Sequence, residues 1–255
     1  MIHAVNEMDF GVISFIGAMN DAGMVQAPWL IRLLGGAAGL VLGGSLIKMG
    51  PLVLLLSCTW LRRAGSGPGI TADPQGVLRG MLAVFLSLAA GRLLQQALPM
   101  RLRPRFVRPD AFIANDNPFV LQEQDWSSLP SDHAALVVAL VVVTWWGSRH
   151  LGLLAALWGA FYICLPRIYY GLHYLSDIVS GAALGGIVTL AVLRMPLPAA
   201  LPGRLDRLAA RMPVVLMLGI FLFGWEVIEL FETLRRLGAG FGKAAALLAG
   251  HPGGT

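Results

Sequence analysis

The chain has 255 residues, 56% of them hydrophobic and only 13% charged, about half the charged share of a soluble domain. With a mean hydropathy of +0.71 it belongs in a bilayer, and its length suits about five to seven spanning helices joined by short loops. The formal net charge of +5 comes from arginine, since Lys48 and Lys243 are the only lysines. These arginines fall between apolar runs instead of forming one basic face, which argues against nucleic acid as a partner. Cys58 and Cys164 both lie inside apolar runs, with neither a disulfide framework nor metal-ligand spacing. The first ten residues lack a basic n-region followed by an apolar core, so no cleavable signal peptide is expected.

Residues 1–45 read as a lead-in, mixed at first and then apolar but broken by Gly35-Gly36 and Gly43-Gly44. The apolar stretch from Leu30 to Leu61 is too long for one upright helix at 1.5 Å per residue. It divides into an interfacial or re-entrant helix up to about Ser45 and a first span over 46–62. A Gly/Pro-rich loop runs to Asp73, and the second span covers 76–97. A long polar segment occupies 98–130. The third span begins at Ser131 and ends near Trp146, and a short turn around Ser148-Arg149-His150 leads to the fourth, 151–166. The fifth covers 174–194 and the sixth 212–231, inside a membrane domain spanning 46–232. A Gly-rich tail over 233–255 carries no recognisable chemistry. The expected fold class is therefore all-α, an integral membrane bundle of about six spans.

Loops after the first, third and fifth spans carry Arg62, Arg63, Arg149, Arg194, Arg204, Arg207 and Arg211 against only Asp73 and Asp206. The positive-inside rule assigns that face to the cytoplasm. The opposite, external face holds the segment 98–130 and the 167–173 connection.

Three polar clusters reach the membrane boundary on that external face. They are Arg101-Leu-Arg103-Pro104-Arg105-Phe-Val-Arg108-Pro109, Leu129-Pro130-Ser131-Asp132-His133, and Pro166-Arg167 through Gly171, His173 and Asp177. Arginines form bidentate, charge-assisted bonds to phosphate oxygens and stay protonated at working pH. Ser131 at a helix start caps it, and the free N–H groups there favour an anion. His173 and Asp177 lie four apart and share a helix face, so the carboxylate fixes the histidine tautomer. His133 and His173 would divide the work of acid and nucleophile. Taken singly, each signal has a plain structural reading as a cap, an interfacial anchor or an interface histidine. Asp177 is harder to set aside, because an ionisable group just inside a span needs a partner.

Together these motifs resemble the type 2 phosphatidic acid phosphatase (PAP2) family, which includes bacterial undecaprenyl-diphosphate phosphatases and shares its site with vanadium haloperoxidases. The family pattern is Lys-x6-Arg-Pro, then Pro-Ser-Gly-His, then Ser-Arg-x5-His-x3-Asp. The third motif matches at Arg167, His173 and Asp177, with Pro166 at the serine position; the second matches at Pro130, Ser131 and His133, with Asp132 at the glycine position. The first has two registers: Arg101 with Arg108-Pro109, or Arg103-Pro104 with Gln96 at the lysine position. The resemblance covers about 76–195. It implies His173 as nucleophile, Asp177 as its orienting partner and His133 as general acid. Arg167, Ser131 and the arginines Arg101, Arg103 and Arg108 would hold the phosphate, and neither metal nor cofactor is called for. Asp132 joins this phosphate-binding group as the expected partner of a first-motif arginine.

The activity implied is a lipid phosphatase acting through a phosphohistidine, with undecaprenyl diphosphate as first substrate and phosphatidic acid or phosphatidylglycerol phosphate as second. A lipid phosphotransferase with the same site, and a non-catalytic protein that binds or transports lipid phosphates, are the rivals. The expected partners are a lipid phosphate and the surrounding membrane lipids, at the inner membrane with the site facing the periplasm or exterior. The segment 110–128, with Phe112, Phe119 and Trp126, is read as a lid whose aromatics sit at headgroup level, with Trp126 read first as a plain interface anchor.

Overall fold

A computed structural model describes residues 9, 11–15, 45–62, 74–112, 127–196, 198 and 200–231. Every regular element among them is helical. The long helices are α1 (Ser45–Arg62), α2 (Pro74–Ala97), α4 (Asp132–Gly147), α6 (Leu175–Arg194), α7 (Ala200–Arg211) and α8 (Pro213–Ile228). The short α3 (Pro104–Val107) lies between α2 and α4, and α5 runs over Arg149–Tyr169. Within α5, Gly159–Cys164 winds as a π-helix, whose turns are wider than those of the flanking α segments.

Helices stand at all six places expected of spans. Among the described residues, α2, α5 and α6 are long and apolar enough to cross a membrane, and α7 with α8, bent by 105°, adds a fourth if the pair is one span. At 16 residues, α4 is about 24 Å long and shorter than the hydrocarbon core. Some boundaries differ from expectation. Ser148 both ends α4 and caps α5, its Oγ accepting from Leu151 N at 3.5 Å, so the turn is a single residue and Arg149 and His150 are already helical. The arginine-bearing connection after α6 folds as the amphipathic α7, with Arg204, Arg207 and Arg211 within it.

Burial follows the logic of a lipid solvent. Leu52, Leu56, Val84, Leu136, Leu140 and Val227 form the centre of the bundle, while Phe85, Leu93, Phe161, Ile187, Phe221 and Trp225 point outward. An outward apolar side chain costs nothing against lipid, so helix association depends on close packing and internal hydrogen bonds. Both occur where α6 crosses α4 and α2. A Cβ on Gly181 would stand 2.2 Å from the Ser131 carbonyl oxygen, and one on Gly185 would stand 2.2 Å from that of Ala135. Only hydrogen fits at these crossings. One turn further along, Ser87 Oγ on α2 and Thr189 Oγ1 on α6 lie 3.2 Å apart, a buried interhelical hydrogen bond.

Candidate active site

The ends of α2, α4, α5 and α6 that converge at one end of the bundle are joined by backbone hydrogen bonds between distant segments. Ser131 N donates to Asp177 O at 3.0 Å, Ser128 N to Arg101 O at 3.0 Å, and Arg105 N to Gly171 O at 3.0 Å. Gln95 Nε2, from the last turn of α2, donates to Pro130 O at 2.7 Å. Gly171 has φ +65°, which an L side chain rarely adopts, and the Phe112 ring closes over it. Each of the three polar clusters is thus pinned to another by main-chain geometry.

His173 lies in the connection between α5 and α6 and is 1% exposed. Its Nδ1 is 2.9 Å from Ser128 O, an acceptor only, so Nδ1 carries the proton. Nε2 faces Arg103 Nη1 at 3.3 Å; guanidinium is a donor only, so Nε2 presents its lone pair. Both neighbours select the same tautomer. Asp177 shares the face of His173 as its spacing predicts, with Oδ2 3.7 Å from Nδ1, beyond a direct hydrogen bond. Its carboxylate instead accepts from Tyr174 N at 2.9 Å, within the first turn of α6, and from Arg101 Nη1. The carbonyl of Ser128 is therefore the direct orienter of the imidazole. Burial pushes the His173 pKa below its ordinary value; Asp177 opposes that shift, while the positive charges of Arg103 and Arg167 reinforce it.

Of the two first-motif registers, the structure brings Arg103 to His173. Arg103 is buried and also donates to Leu172 O at 2.8 Å. Gln96, at the lysine position of that register, is exposed. Arg108 lies elsewhere, forking onto Asp110 (Nε to Oδ1 3.1 Å, Nη2 to Oδ2 2.9 Å) with half its side chain exposed. Arg101 is engaged by carboxylates, donating to Asp177 and, at 2.8 Å, to Asp9.

Ser131 caps α4, its Oγ accepting from Ala134 N at 3.3 Å. Asp132 Oδ1 stands 2.7 Å from His133 Nδ1, which orients that imidazole as a carboxylate orients a general acid. The expected pairing of Asp132 with a first-motif arginine is corrected, for its Oδ2 meets Arg92 Nε at 3.4 Å, from α2. Arg92 gave a signal in sequence: a charge inside an apolar span needs a partner and marks a functional site. Arg167, buried at the end of α5, is near enough for its charge to act on both Asp132 and His173. Phe112 also departs from expectation. It is buried against Ala111, Ile13 and Tyr174 instead of sitting at headgroup level, while Phe119 and Trp126 lie outside the described residues.

Clustered arginines about a buried histidine whose unprotonated Nε2 faces one of them fit phosphoryl chemistry, and comparison with known proteins agrees. Residues 80–199 match the model of the PAP2 superfamily. Over those residues the helical core is PAP2-like. The chain is also 26% identical over 192 residues to YbjG of Escherichia coli (strain K12), whose name provisionally assigns it as an undecaprenyl-diphosphatase; the match covers 73% of this chain and 82% of that protein. Comparison with solved structures finds no match. Apolar helices, PAP2 core and named relative together make this a membrane phosphatase of the PAP2 type.

Proposed function

We propose that the chain hydrolyses undecaprenyl diphosphate through a phosphohistidine on His173, without a metal. The observation that carries this reading is the tautomer of His173. With Nδ1–H given to the Ser128 carbonyl, the Nε2 lone pair is left facing Arg103. Nε2 attacks the terminal phosphorus, and the bond from phosphorus to the bridging oxygen breaks. His133, cationic and held through Nδ1 by Asp132, gives its other ring proton to the departing lipid monophosphate oxygen. A water molecule then attacks the phosphohistidine, and His133 takes its proton. The P–N bond breaks, releasing inorganic phosphate.

Arg103 and Arg167 supply the fixed positive charge that stabilises the transferring phosphoryl group, a role often taken by metal ions. Charge density on the phosphorylated imidazole is balanced by Asp177 and the Ser128 carbonyl. The relative's name supports the diphosphate as substrate, and the positive-inside pattern supports a site on the periplasmic side of a bacterial inner membrane.

The test is phosphate release from undecaprenyl diphosphate and from phosphatidic acid by detergent-purified protein in EDTA, with wild type compared to His173→Ala. EDTA-resistant release that is faster on the diphosphate and lost in the variant is expected. Release that survives His173→Ala would overturn the histidine mechanism. Release that requires an added lipid acceptor would make the enzyme a phosphotransferase.

A further inference from the structure

One residue that ties the site to another part of the chain, Asp9, lies outside the PAP2 core. Asp9 is helical, as are residues 11–15, and is 1% exposed. Its Oδ1 accepts from Ser176 N at 3.0 Å; its Oδ2 accepts from Ser176 Oγ at 2.6 Å and from Arg101 Nη2 at 2.8 Å. Val12 and Ile13 pack with Phe112, Tyr174 and Ile168. Asp9, Val12 and Ile13 share with His173 the lining of a void of about 10 Å³. The N-terminal turn is thus one wall of the site.

Charge gives this contact a chemical role. One guanidinium, Arg101, bridges two buried carboxylates: Nη2 goes to Asp9 and Nη1 to Asp177. Its face also lies over the Tyr174 ring, 4.0 Å from the centroid. Asp177 therefore holds Arg101 by a single nitrogen, and the three groups together keep one net negative charge beside the imidazole. Without the Asp9 charge, Arg101 would neutralise Asp177 in full.

We propose that Asp9 is a positioning residue of the catalytic centre: by sharing Arg101 with Asp177, it preserves the negative charge that stabilises His173 when its ring becomes cationic. This rests on the phosphohistidine reading given above. The charged groups around His173 are Arg103 before α3, Arg167 from α5 and Asp177 from α6; Arg101 and Asp9 bear on it through Asp177, and Asp132 with His133 at the start of α4 share the field of Arg167. The Ser128 carbonyl adds a dipole. Asp9 meets Arg101 and Ser176, while Arg103 and Arg167 stand on other elements as the proposed holders of the phosphate.

The experiment measures kcat, KM and the acid limb of kcat/KM against pH for the full-length, detergent-purified protein, with undecaprenyl diphosphate and phosphatidic acid as substrates. Asp9→Asn and Asp9→Ser remove the charge with different packing, Asp9→Glu keeps it, and His173→Ala is run in parallel. The charge-free variants are expected to lower kcat about tenfold or more with KM within about threefold. The acid limb should move down by on the order of one pH unit, the scale of a nearby unit charge at protein dielectric. Asp9→Glu should keep the limb of the wild type. If neither charge-free variant folds, Asp9→Glu remains the test: having kept the charge, it should hold the acid limb at its wild-type position, and a limb moved down by about one unit in that variant would overturn the proposal. It is also overturned if kcat and melting temperature fall together while the limb stays in place, or if KM alone changes. Turnover surviving in His173→Ala would sink the histidine reading itself. A dead His173→Ala beside wild-type behaviour of Asp9→Asn would sink only the role of Asp9.

Discussion

Gly181→Ala tests whether the α4–α6 crossing sets the geometry of the phosphate end of the site. The added methyl would meet the Ser131 carbonyl oxygen at 2.2 Å, whereas ordinary contact begins near 3.4 Å. The obstacle is backbone, so no side chain can swing aside, and the helices must part by about 1.2 Å, the difference between those distances. Moving apart by that amount lengthens Ser131 N to Asp177 O from 3.0 Å towards about 4.2 Å, beyond a hydrogen bond. The start of α4, with Ser131, Asp132 and His133, then shifts relative to His173. A misplacement of about 1 Å costs on the order of a hundredfold in rate, or about 2.7 kcal/mol in the barrier. The assay is phosphate release from detergent-purified protein, with thermal unfolding followed in parallel. Gly186→Ala is the control on the same helix, because its Cβ would meet only Val138 Cγ1 at 3.7 Å and should leave the rate near wild type. Wild-type turnover in Gly181→Ala would refute the argument that this contact positions the site.

Arg103→Ala and Arg108→Ala should separate the two registers. Loss of the buried Arg103 is expected to cut kcat/KM by about a hundredfold or more, while Arg108→Ala, which breaks only an exposed pair with Asp110, should stay within about twofold. Equal losses from both variants would show that the position of Arg108 outside the site is wrong for turnover. The pH profile offers another check. Because burial lowers the His173 pKa beneath 6.5, its neutral, nucleophilic form persists below that pH, and the acid limb should lie under 6.5. Between the lowered value and 6.5 the unfolded chain binds more protons at this site than the folded one. Thermal stability should therefore fall as pH drops through that window. A limb above 6.5 would contradict the burial and charge described for this imidazole.

Much of this arrangement was readable from residue order alone, for identifiable reasons. Apolar runs broken by arginine and glycine mark the helices, because lipid demands length and continuity. The paired spacings His173–Asp177 and Ser131–His133 mark the site, because helix periodicity turns spacing into shared faces. The choice between Arg103 and Arg108 depended on how the chain turns through Pro104 and Pro109, which a repeated arginine-proline pattern leaves open. Ser128 was invisible because it acts through its carbonyl, a group every residue has. Asp9 stood in a patternless stretch, and its partner Arg101 is 92 positions away, so only tertiary packing connects them. Arg92 was the one omission with a signal of its own, being a cation within an apolar helix.

The π-helical stretch Gly159–Cys164 has a bearing on Arg167, three residues beyond it. An α-helix advances about 100° per residue, and a π turn absorbs one residue more than an α turn. Everything after the stretch is therefore out of phase with everything before it. Were the stretch to relax to α geometry with its residue count unchanged, Arg167 would be turned by about 100° about the helix axis, whereas removal of one residue together with that relaxation would leave its aim as it is. The aim of that guanidinium is encoded in the match between a residue count and one wide turn, and neither can change alone without turning the end of α5 away from the site.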